Sequence, residues 1–128
     1  MAYVFDTSAL VSYFKDEPEA DQVEALLRQP DGLLIPFMTV MELQYVLRRT
    51  FSPLRVDQII ETLRNSGVSI VESHPTWGAV AADVKSRGGL SLADAWIAAL
   101  ALMRSAELVH KDPEFDRVAG LRALKLPG

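Results

Sequence analysis

Residues 91–103 read SLADAWIAALALM, and their many alanines and leucines give this stretch a high helix propensity. Asp94 carries the only charge within it. A helix that is apolar around its whole circumference is a buried helix, so we expect Asp94 at the edge of a hydrophobic core. Burying a carboxylate without a partner or a metal is destabilising. Ser91, three residues earlier, has capping-box spacing, so helix capping is an alternative explanation for this acid.

Short β-type runs alternate with helical patterns along the whole chain. Strands are predicted at residues 2–5, 33–35, 68–71, 107–110 and 121–126. Helices are predicted at residues 7–14, 18–28, 39–49, 56–63, 75–85 and 91–103, with a last short helix opened by Asp112 and Pro113. Strands separated by helices are typical of parallel crossover units. The pattern therefore predicts an α/β sandwich around a parallel sheet of four or five strands.

Four acidic residues fall at strand ends or in the first turns of predicted helices. Asp6 and Asp112 lie at strand ends, whereas Glu42 and Asp94 lie in first helical turns, Glu42 in a helix that Thr39 is predicted to cap. In parallel sheets the functional crevice lies at the carboxyl ends of the strands. Each acid alone can be a helix cap, but four carboxylates that converge on one edge repel each other. Their coincidence favours a metal site.

The residue types in the chain restrict that site to oxygen ligands. There are no cysteines, which excludes disulfides and thiolate metal sites, and two histidines are too few for a histidine-built zinc site. Carboxylate ligands point to Mg²⁺ or Mn²⁺. The net charge of −4 comes from 17 acidic and 13 basic residues, and setting the four acids aside leaves 13 of each sign. A neutral body with one acidic pocket suits a divalent cation and does not exclude RNA as a substrate.

Length and hydropathy favour a single globular domain over residues 1–128, with 49% hydrophobic and 23% charged residues. No uncharged apolar run reaches membrane-spanning length, and the N-terminal MAYVFDTS has no basic region before its apolar residues. We therefore expect a cytoplasmic protein with no membrane partner. Exposed apolar residues such as Tyr45, Phe51 and Leu54 indicate a homodimer.

Four motifs resemble those of the PIN-domain family, most closely its small VapC-type toxins. They are DTSAL at Asp6, TVMEL at Glu42, LSLADAWIAA at Asp94 and LVHKDPEF at Asp112, and together they cover essentially the whole length. The resemblance implies a PIN-like three-layer α/β sandwich with a central parallel sheet. It also implies that the four acids bind Mg²⁺ or Mn²⁺ and catalyse the hydrolysis of RNA phosphodiester bonds, as in an endoribonuclease toxin.

The resemblance implies a partner and further site residues as well. A VapB-type antitoxin is expected to block the site, with a basic residue in the acidic pocket. Thr7 and Ser8 match the family's hydroxyl positions beside the first acid, whereas His110 stands where members often have threonine or serine. Asp116, one turn beyond Asp112, is a further candidate metal ligand. Four basic residues are candidate contacts for flanking phosphates: Arg48, Arg49, Arg87 and Lys111.

Other functions remain open at this point. A phosphoaspartate receiver domain needs an aspartate after the third strand, where the chain has Glu72-Ser73-His74. A haloacid-dehalogenase-like phosphatase needs a second aspartate where Ser8 stands. A catalytically silent PIN-like module that only binds a protein is the remaining alternative.

Overall fold

A five-stranded parallel sheet forms the centre of the molecule in the structure, a computed structural model that describes residues 1–127. The strands are β1 (Tyr3–Phe5), β2 (Leu33–Pro36), β3 (Ser69–Val71), β4 (Glu107–His110) and β5 (Arg122–Lys125). All neighbours pair in parallel, in the order β3-β2-β1-β4-β5. The predicted parallel sheet is confirmed. Because receiver domains have the order 2-1-3-4-5, the receiver alternative is wrong.

Helices cover both faces of this sheet. They are α1 (Thr7–Phe14), α2 (Ala20–Leu27), α3 (Phe37–Leu47), α4 (Pro53–Arg64), α5 (Pro75–Ser86) and α6 (Leu92–Arg104), with a 3₁₀ helix at Pro113–Arg117. One hydrophobic cluster joins the sheet to α5 and α6, and a second joins it to α1 through α4. Successive strand residues such as Val4 and Phe5 enter opposite clusters, as the two-residue period of a strand requires. The predicted three-layer sandwich is confirmed.

Helix α6 is buried along most of its length, as its sequence predicts. Its buried residues include Ile97 and Leu100, whereas Leu92 at the first position is 67% exposed. Helix α5 lies close beside it, and a Cβ at Gly78 would lie 3.4 Å from Cη2 of Trp96, in van der Waals contact. Among residues 1–127, no helix combines the length and apolar character needed to cross a membrane.

Helix α3 begins earlier than predicted. Its N-cap is Pro36, without a side-chain capping bond, and Phe37 is the first helical residue. Thr39 is therefore inside the helix and fully buried rather than at the cap. Pro36 has the extended conformation of a cap residue (φ −63°, ψ 147°), so β2 passes directly into the helix without a separate cap residue. The predicted capping box is wrong, and Glu42 lies in the second turn.

Candidate metal centre at the carboxyl edge of the sheet

The sheet order brings the segments that carry the four predicted acids together. Strand β1 pairs with both β2 and β4, so the residues that follow these three strands leave the sheet at the same edge. Asp6 follows β1 directly, and its backbone N–H donates to the Val109 carbonyl of β4 (3.0 Å). Asp112 follows β4, and Glu42 lies on the helix that follows β2.

Asp6 is 5% exposed and caps α1. Its Oδ2 accepts hydrogen bonds from the backbone N–H of Ser8 (3.2 Å) and from the Ser8 hydroxyl (2.5 Å). Burial raises the pKa of the Asp6 carboxyl to about 6, since the charged form loses its hydration. The bonds from Ser8 oppose this rise, and the negative charge of Glu42 adds to it. Asp6 therefore caps α1 and also belongs to an acidic group.

The two predicted hydroxyl positions connect the first acid to other elements. Thr7 donates its hydroxyl hydrogen to Oε1 of Glu42 (3.0 Å) and so joins α1 to α3. Ser8 accepts a hydrogen bond from the backbone N–H of Lys111 (3.0 Å) while it donates to Asp6. The Thr7 hydroxyl therefore connects the Glu42 carboxylate to α1, and the Ser8 hydroxyl connects the Asp6 carboxylate to the backbone at Lys111.

Asp94 is the acid whose titration is most perturbed. Desolvation by burial raises the pKa of its carboxyl to about 7, and the negative charges of Asp6 and Asp112 raise it further. Its backbone N–H donates to the hydroxyl of Ser91 (3.1 Å), so the serine caps α6. A hydrogen bond with the Ser91 side chain lowers the pKa of the Asp94 carboxyl and opposes the rise, so this carboxylate contacts the cap as well as the acidic group.

Glu114 is a member of this group that the sequence analysis missed. One carboxylate oxygen from each of Asp94, Asp112 and Glu114 lies within 4.8 Å of the other two, a spacing that could hold one metal ion. Asp112 caps the 3₁₀ helix, where its Oδ1 accepts from the Glu114 N–H (2.9 Å). This turn brings the carboxylates of Asp112 and Glu114 close together, although Pro113 lies between the two residues in the sequence. The segment Asp112-Pro113-Glu114 contains no local pattern that distinguishes Glu114 from a solvent-exposed acid.

We define the acidic group as Asp6, Glu42, Asp94, Asp112 and Glu114. Within residues 1–127, no lysine, arginine or histidine side chain forms a hydrogen bond or ion pair with the carboxylate of any of these five. The donor set consists only of carboxylate oxygens, which are the ligands of hard divalent cations. Such a cation would also remove the mutual repulsion that raises the pKa of Asp94. The residues present therefore fit Mg²⁺ or Mn²⁺.

Asp116, the further candidate ligand, lies in a different environment. Its Oδ2 is 2.8 Å from Nζ of Lys125 on the edge strand β5, and this hydrogen bond lowers the pKa of the Asp116 carboxyl. It is not one of the three carboxylates that approach within 4.8 Å. A metal role for Asp116 stays a prediction.

His110 is fully buried at the end of β4. Its Nδ1 accepts a hydrogen bond from the backbone N–H of Asp112 (3.1 Å), and its ring packs edge-on against Phe115 with centroids 5.0 Å apart. Burial lowers the pKa of His110. The imidazole therefore holds the backbone of Asp112, two residues later in the chain.

Two of the four predicted phosphate contacts are already paired with acids. The Lys111 ammonium contacts Glu19 and lies 3.6 Å from Oε1 of Glu17. The Arg87 guanidinium lies 2.8 Å from Oδ2 of Asp83. Because Glu19 is buried, the Lys111 side chain is committed to this contact, whereas the Arg87 pair is exposed and weakly held.

The chain matches the family model described as PIN domain over residues 3–121. No curated protein matches it.

Solved structures of the same fold cover nearly the whole chain. A chain of VapBC2 from Rickettsia felis, bound to a promoter DNA fragment, is 19% identical with a TM-score of 0.79, over 99% of this chain and 100% of that one. A chain of VapBC-1 from nontypeable Haemophilus influenzae is 26% identical with a TM-score of 0.73, over 98% of each. Mycobacterium tuberculosis VapC20, a sarcin-ricin loop cleaving toxin, is 16% identical with a TM-score of 0.72, over 94% of this chain and 96% of that one.

Proposed function

The chain belongs to the PIN domain family, and from that premise we propose that it is a metal-dependent endoribonuclease acting as the toxin of a type II toxin–antitoxin pair. The observation that carries the proposal is the acidic group, whose five carboxylates have no basic side-chain partner within the described chain. The similarity to VapBC complexes and to an RNA-cleaving toxin supports the assignment of RNA as the substrate.

In this proposal Asp6, Glu42, Asp94 and Asp112 hold Mg²⁺ or Mn²⁺, and Glu114 adds a fifth carboxylate. An ion held there would supply positive charge for the phosphate oxygens and would lower the pKa of the attacking water. A carboxylate of the group accepts the proton of that water as its oxygen bonds to phosphorus. The ester P–O bond then breaks, and the leaving oxygen takes a proton from solvent. Thr7 and Ser8 keep the side chains of Glu42 and Asp6 in place during the reaction.

The partner in this proposal is a VapB-type antitoxin, and the working compartment is the cytoplasm. Five carboxylates without basic partners form a site that an arginine fork matches in both geometry and charge. An antitoxin that inserts such a side chain would neutralise the acidic group and displace the metal at once. The VapBC complexes among the similar structures support a partner of this kind.

A homodimer is also part of the proposal. Tyr45 is 46% exposed and Leu54 is 69% exposed, and Met41, one helical turn before Tyr45 on α3, is 59% exposed. Phe51, which we expected to be exposed, is partly buried against the cluster beneath α3 and α4. The apolar contact surface of the proposed dimer therefore comprises Met41, Tyr45 and Leu54.

Cleavage of RNA by the purified chain tests the enzymatic part of the proposal. We expect cleavage with Mg²⁺ or Mn²⁺, none with a chelator, and a loss of orders of magnitude in Asp94→Asn. Asp57→Asn, an exposed acid on α4, is the matched control and should retain full activity. A pure, folded and metal-loaded chain that leaves RNA intact would refute the nuclease and leave a protein-binding module.

Expression in a bacterial host without an antitoxin tests the toxin part. We expect growth arrest from the parent chain and normal growth from Asp94→Asn at equal amounts of soluble protein. Sequencing of RNA ends soon after induction should identify the cleaved RNA. Unrestricted growth with verified soluble parent protein would contradict the toxin role, even if cleavage occurs in vitro.

A further inference from the structure

A cavity of about 370 Å³ opens between the α5–α6 loop and the 3₁₀ helix. Residues 87–90 of the loop form one wall, and Arg117 and Val118 form the other. Leu102 of α6 lines the cavity between the two walls. The cavity has a volume in the range of nucleotide and ligand sites, with apolar residues in its lining and arginines on both walls.

Both walls lead directly into the acidic group. The loop of residues 87–90 continues into Ser91 and the first turn of α6, which carries Asp94. The opposite wall is the 3₁₀ helix that carries Glu114, and Arg117 follows three residues later. Because a 3₁₀ helix has three residues per turn and a rise of about 2 Å per residue, Glu114 and Arg117 lie on the same side, about 6 Å apart along the axis. Arg117 therefore places one wall of the cavity one 3₁₀ turn from Glu114.

Arg117 has an exposed guanidinium that is not used within the fold. Among residues 1–127, it forms no hydrogen bond or ion pair. A Cβ on Gly89 would lie 3.5 Å from its Cδ and 3.6 Å from its Nη1, so the side chain extends along the loop. Gly88 and Gly89 have φ values of 84° and 89°, which glycine adopts without strain, so the loop backbone faces the cavity without side chains.

Arg87 supplies the second positive charge. One of its terminal nitrogens lies 2.8 Å from Asp83 in an exposed ion pair that contributes little stability. A guanidinium has five N–H donors, so that pairing leaves donors for another ligand. Two arginines on facing walls can bind a phosphate from both sides.

We propose that this cavity binds the nucleotide next to the cleaved phosphodiester bond, with its phosphate held by Arg117 and Arg87. The proposal rests on the proposed function, since it assigns a substrate subsite to the same acidic group. An RNA strand carries a negative charge at every nucleotide, and the acidic group repels those that are not bound to its metal. Positive side chains beside the group are therefore needed to hold the neighbouring phosphate. Leu90 and Leu102 contribute the apolar part of the cavity lining, which suits a sugar or base.

Equilibrium binding of a fluorescein-labelled single-stranded RNA of mixed sequence tests this proposal. All chains carry Asp94→Asn, so that the RNA stays intact, and the titrations are repeated over a range of salt concentrations. We expect Arg117→Gln to weaken binding by about tenfold, as for a charge-assisted hydrogen bond to a phosphate. The slope of log affinity against log salt should fall by about 0.7, the value for one phosphate contact on a single strand. Arg87→Gln should have the same kind of effect.

Arg104→Gln is the matched control, because it removes an exposed arginine of the same helix that does not line the cavity. It should change neither affinity nor slope beyond twofold. Equal affinity and slope in Arg117→Gln and Arg104→Gln would overturn the proposal. So would a loss of affinity with an unchanged slope, since that outcome indicates a structural effect. An Arg117→Gln chain that binds RNA normally but loses a protein partner would also overturn it.

Cleavage kinetics in the chain that retains Asp94 provide the second measurement. Arg117→Gln should raise KM by about tenfold and leave kcat within about twofold, since the arginine contacts a phosphate that does not react. An unchanged KM would overturn the subsite. If the parent does not cleave RNA at all, the proposed function fails. The binding titrations then still show whether the cavity binds RNA. If the parent cleaves and Arg117→Gln binds RNA normally, only the subsite fails.

Discussion

The hydroxyl of Thr7 donates a hydrogen bond of 3.0 Å to Oε1 of Glu42, between residues 35 positions apart. This bond connects the first residue of α1 to the second turn of α3 and fixes one oxygen of a half-buried carboxylate. It leaves the second oxygen, Oε2, for another ligand. A carboxylate that is oriented before a metal arrives binds it more tightly than one that must be ordered.

Thr7→Val keeps the shape of the side chain and removes the hydrogen bond. We expect the affinity for Mn²⁺ to fall by about tenfold or more, as for other residues that orient a metal ligand. The free energy of unfolding should fall by about 1 kcal/mol. Isothermal titration with Mn²⁺ and urea unfolding measure the two effects. Thr62→Val removes an exposed hydroxyl bond on α4 and should leave Mn²⁺ affinity unchanged. Equal Mn²⁺ affinities in the two variants would contradict this role of Thr7.

Asp94→Asn should change the pH dependence of stability in the metal-free protein. Because the pKa of Asp94 rises from 3.8 to about 7 on folding, the folded state binds more protons between these values. The stabilisation from its protonated form is complete below about pH 4 and is lost as the pH rises through about 7. Asparagine does not titrate, and the capping bond uses the backbone N–H, which the variant keeps.

We therefore expect metal-free Asp94→Asn to gain stability relative to the parent as the pH rises. Near pH 7.5 the variant should be more stable by roughly 1 kcal/mol, a value reduced because Asp94 is partly solvent-screened. Urea unfolding with a chelator at several pH values measures this difference. Asp57→Asn, whose carboxyl is exposed, should show no such trend. A difference between parent and Asp94→Asn that is independent of pH would refute the raised pKa.

Affinity for Mn²⁺ should itself depend on pH. Asp6 and Asp94 have pKa values of about 6 and about 7, so both must lose protons before they bind a cation. Below about pH 6, the logarithm of the association constant should rise with a slope approaching two, and above about pH 7 it should level off. At a concentration one hundred times the dissociation constant, Mn²⁺ should stabilise the parent by about 2.7 kcal/mol. A flat pH profile would show that these two acids do not bind the ion.

Glu114 and Asp116 are two residues apart, and only one of them lies in the acidic group. Glu114→Gln should weaken Mn²⁺ affinity by about tenfold, because it replaces a charged oxygen ligand with a neutral one. Asp116→Asn should remove only the exposed ion pair with Lys125 and change stability by less than about 1 kcal/mol. Titration of both variants with Mn²⁺ shows whether Glu114 or Asp116 binds the ion. A larger loss in Asp116→Asn would assign the further ligand role to Asp116.

Local patterns predicted most of the fold. Helix α1 and strand β4 have the predicted bounds, because a capping aspartate and a short apolar run between polar residues mark them unambiguously. Ser91 caps α6 as its spacing indicates. The start of α3 was wrong because a threonine is a better cap than a proline in isolation, and the sequence does not reveal that β2 enters the helix directly.

The acidic group was only partly accessible to sequence reasoning. Asp94 could be identified because it is the one charge in an apolar helix. Glu114 could not, since two acids in a short polar segment usually point to solvent, and their approach to Asp94 depends on the sheet order. The pairing of Lys111 with Glu19 has the same origin, because it joins residues 92 positions apart. Contacts of this separation follow from the fold and leave no local pattern.

The central place of β1 has a consequence for how the protein is made. Strand β1 needs β4 as its second neighbour, and the Ser8–Lys111 hydrogen bond beside Asp6 spans 103 positions. A nascent chain that ends before β4 lacks Asp112 and Glu114, and its Asp6 lacks the Val109 carbonyl to which its backbone N–H donates. The acidic group therefore comes into existence only after residues 1–114 have been synthesised and β1 has paired with β4.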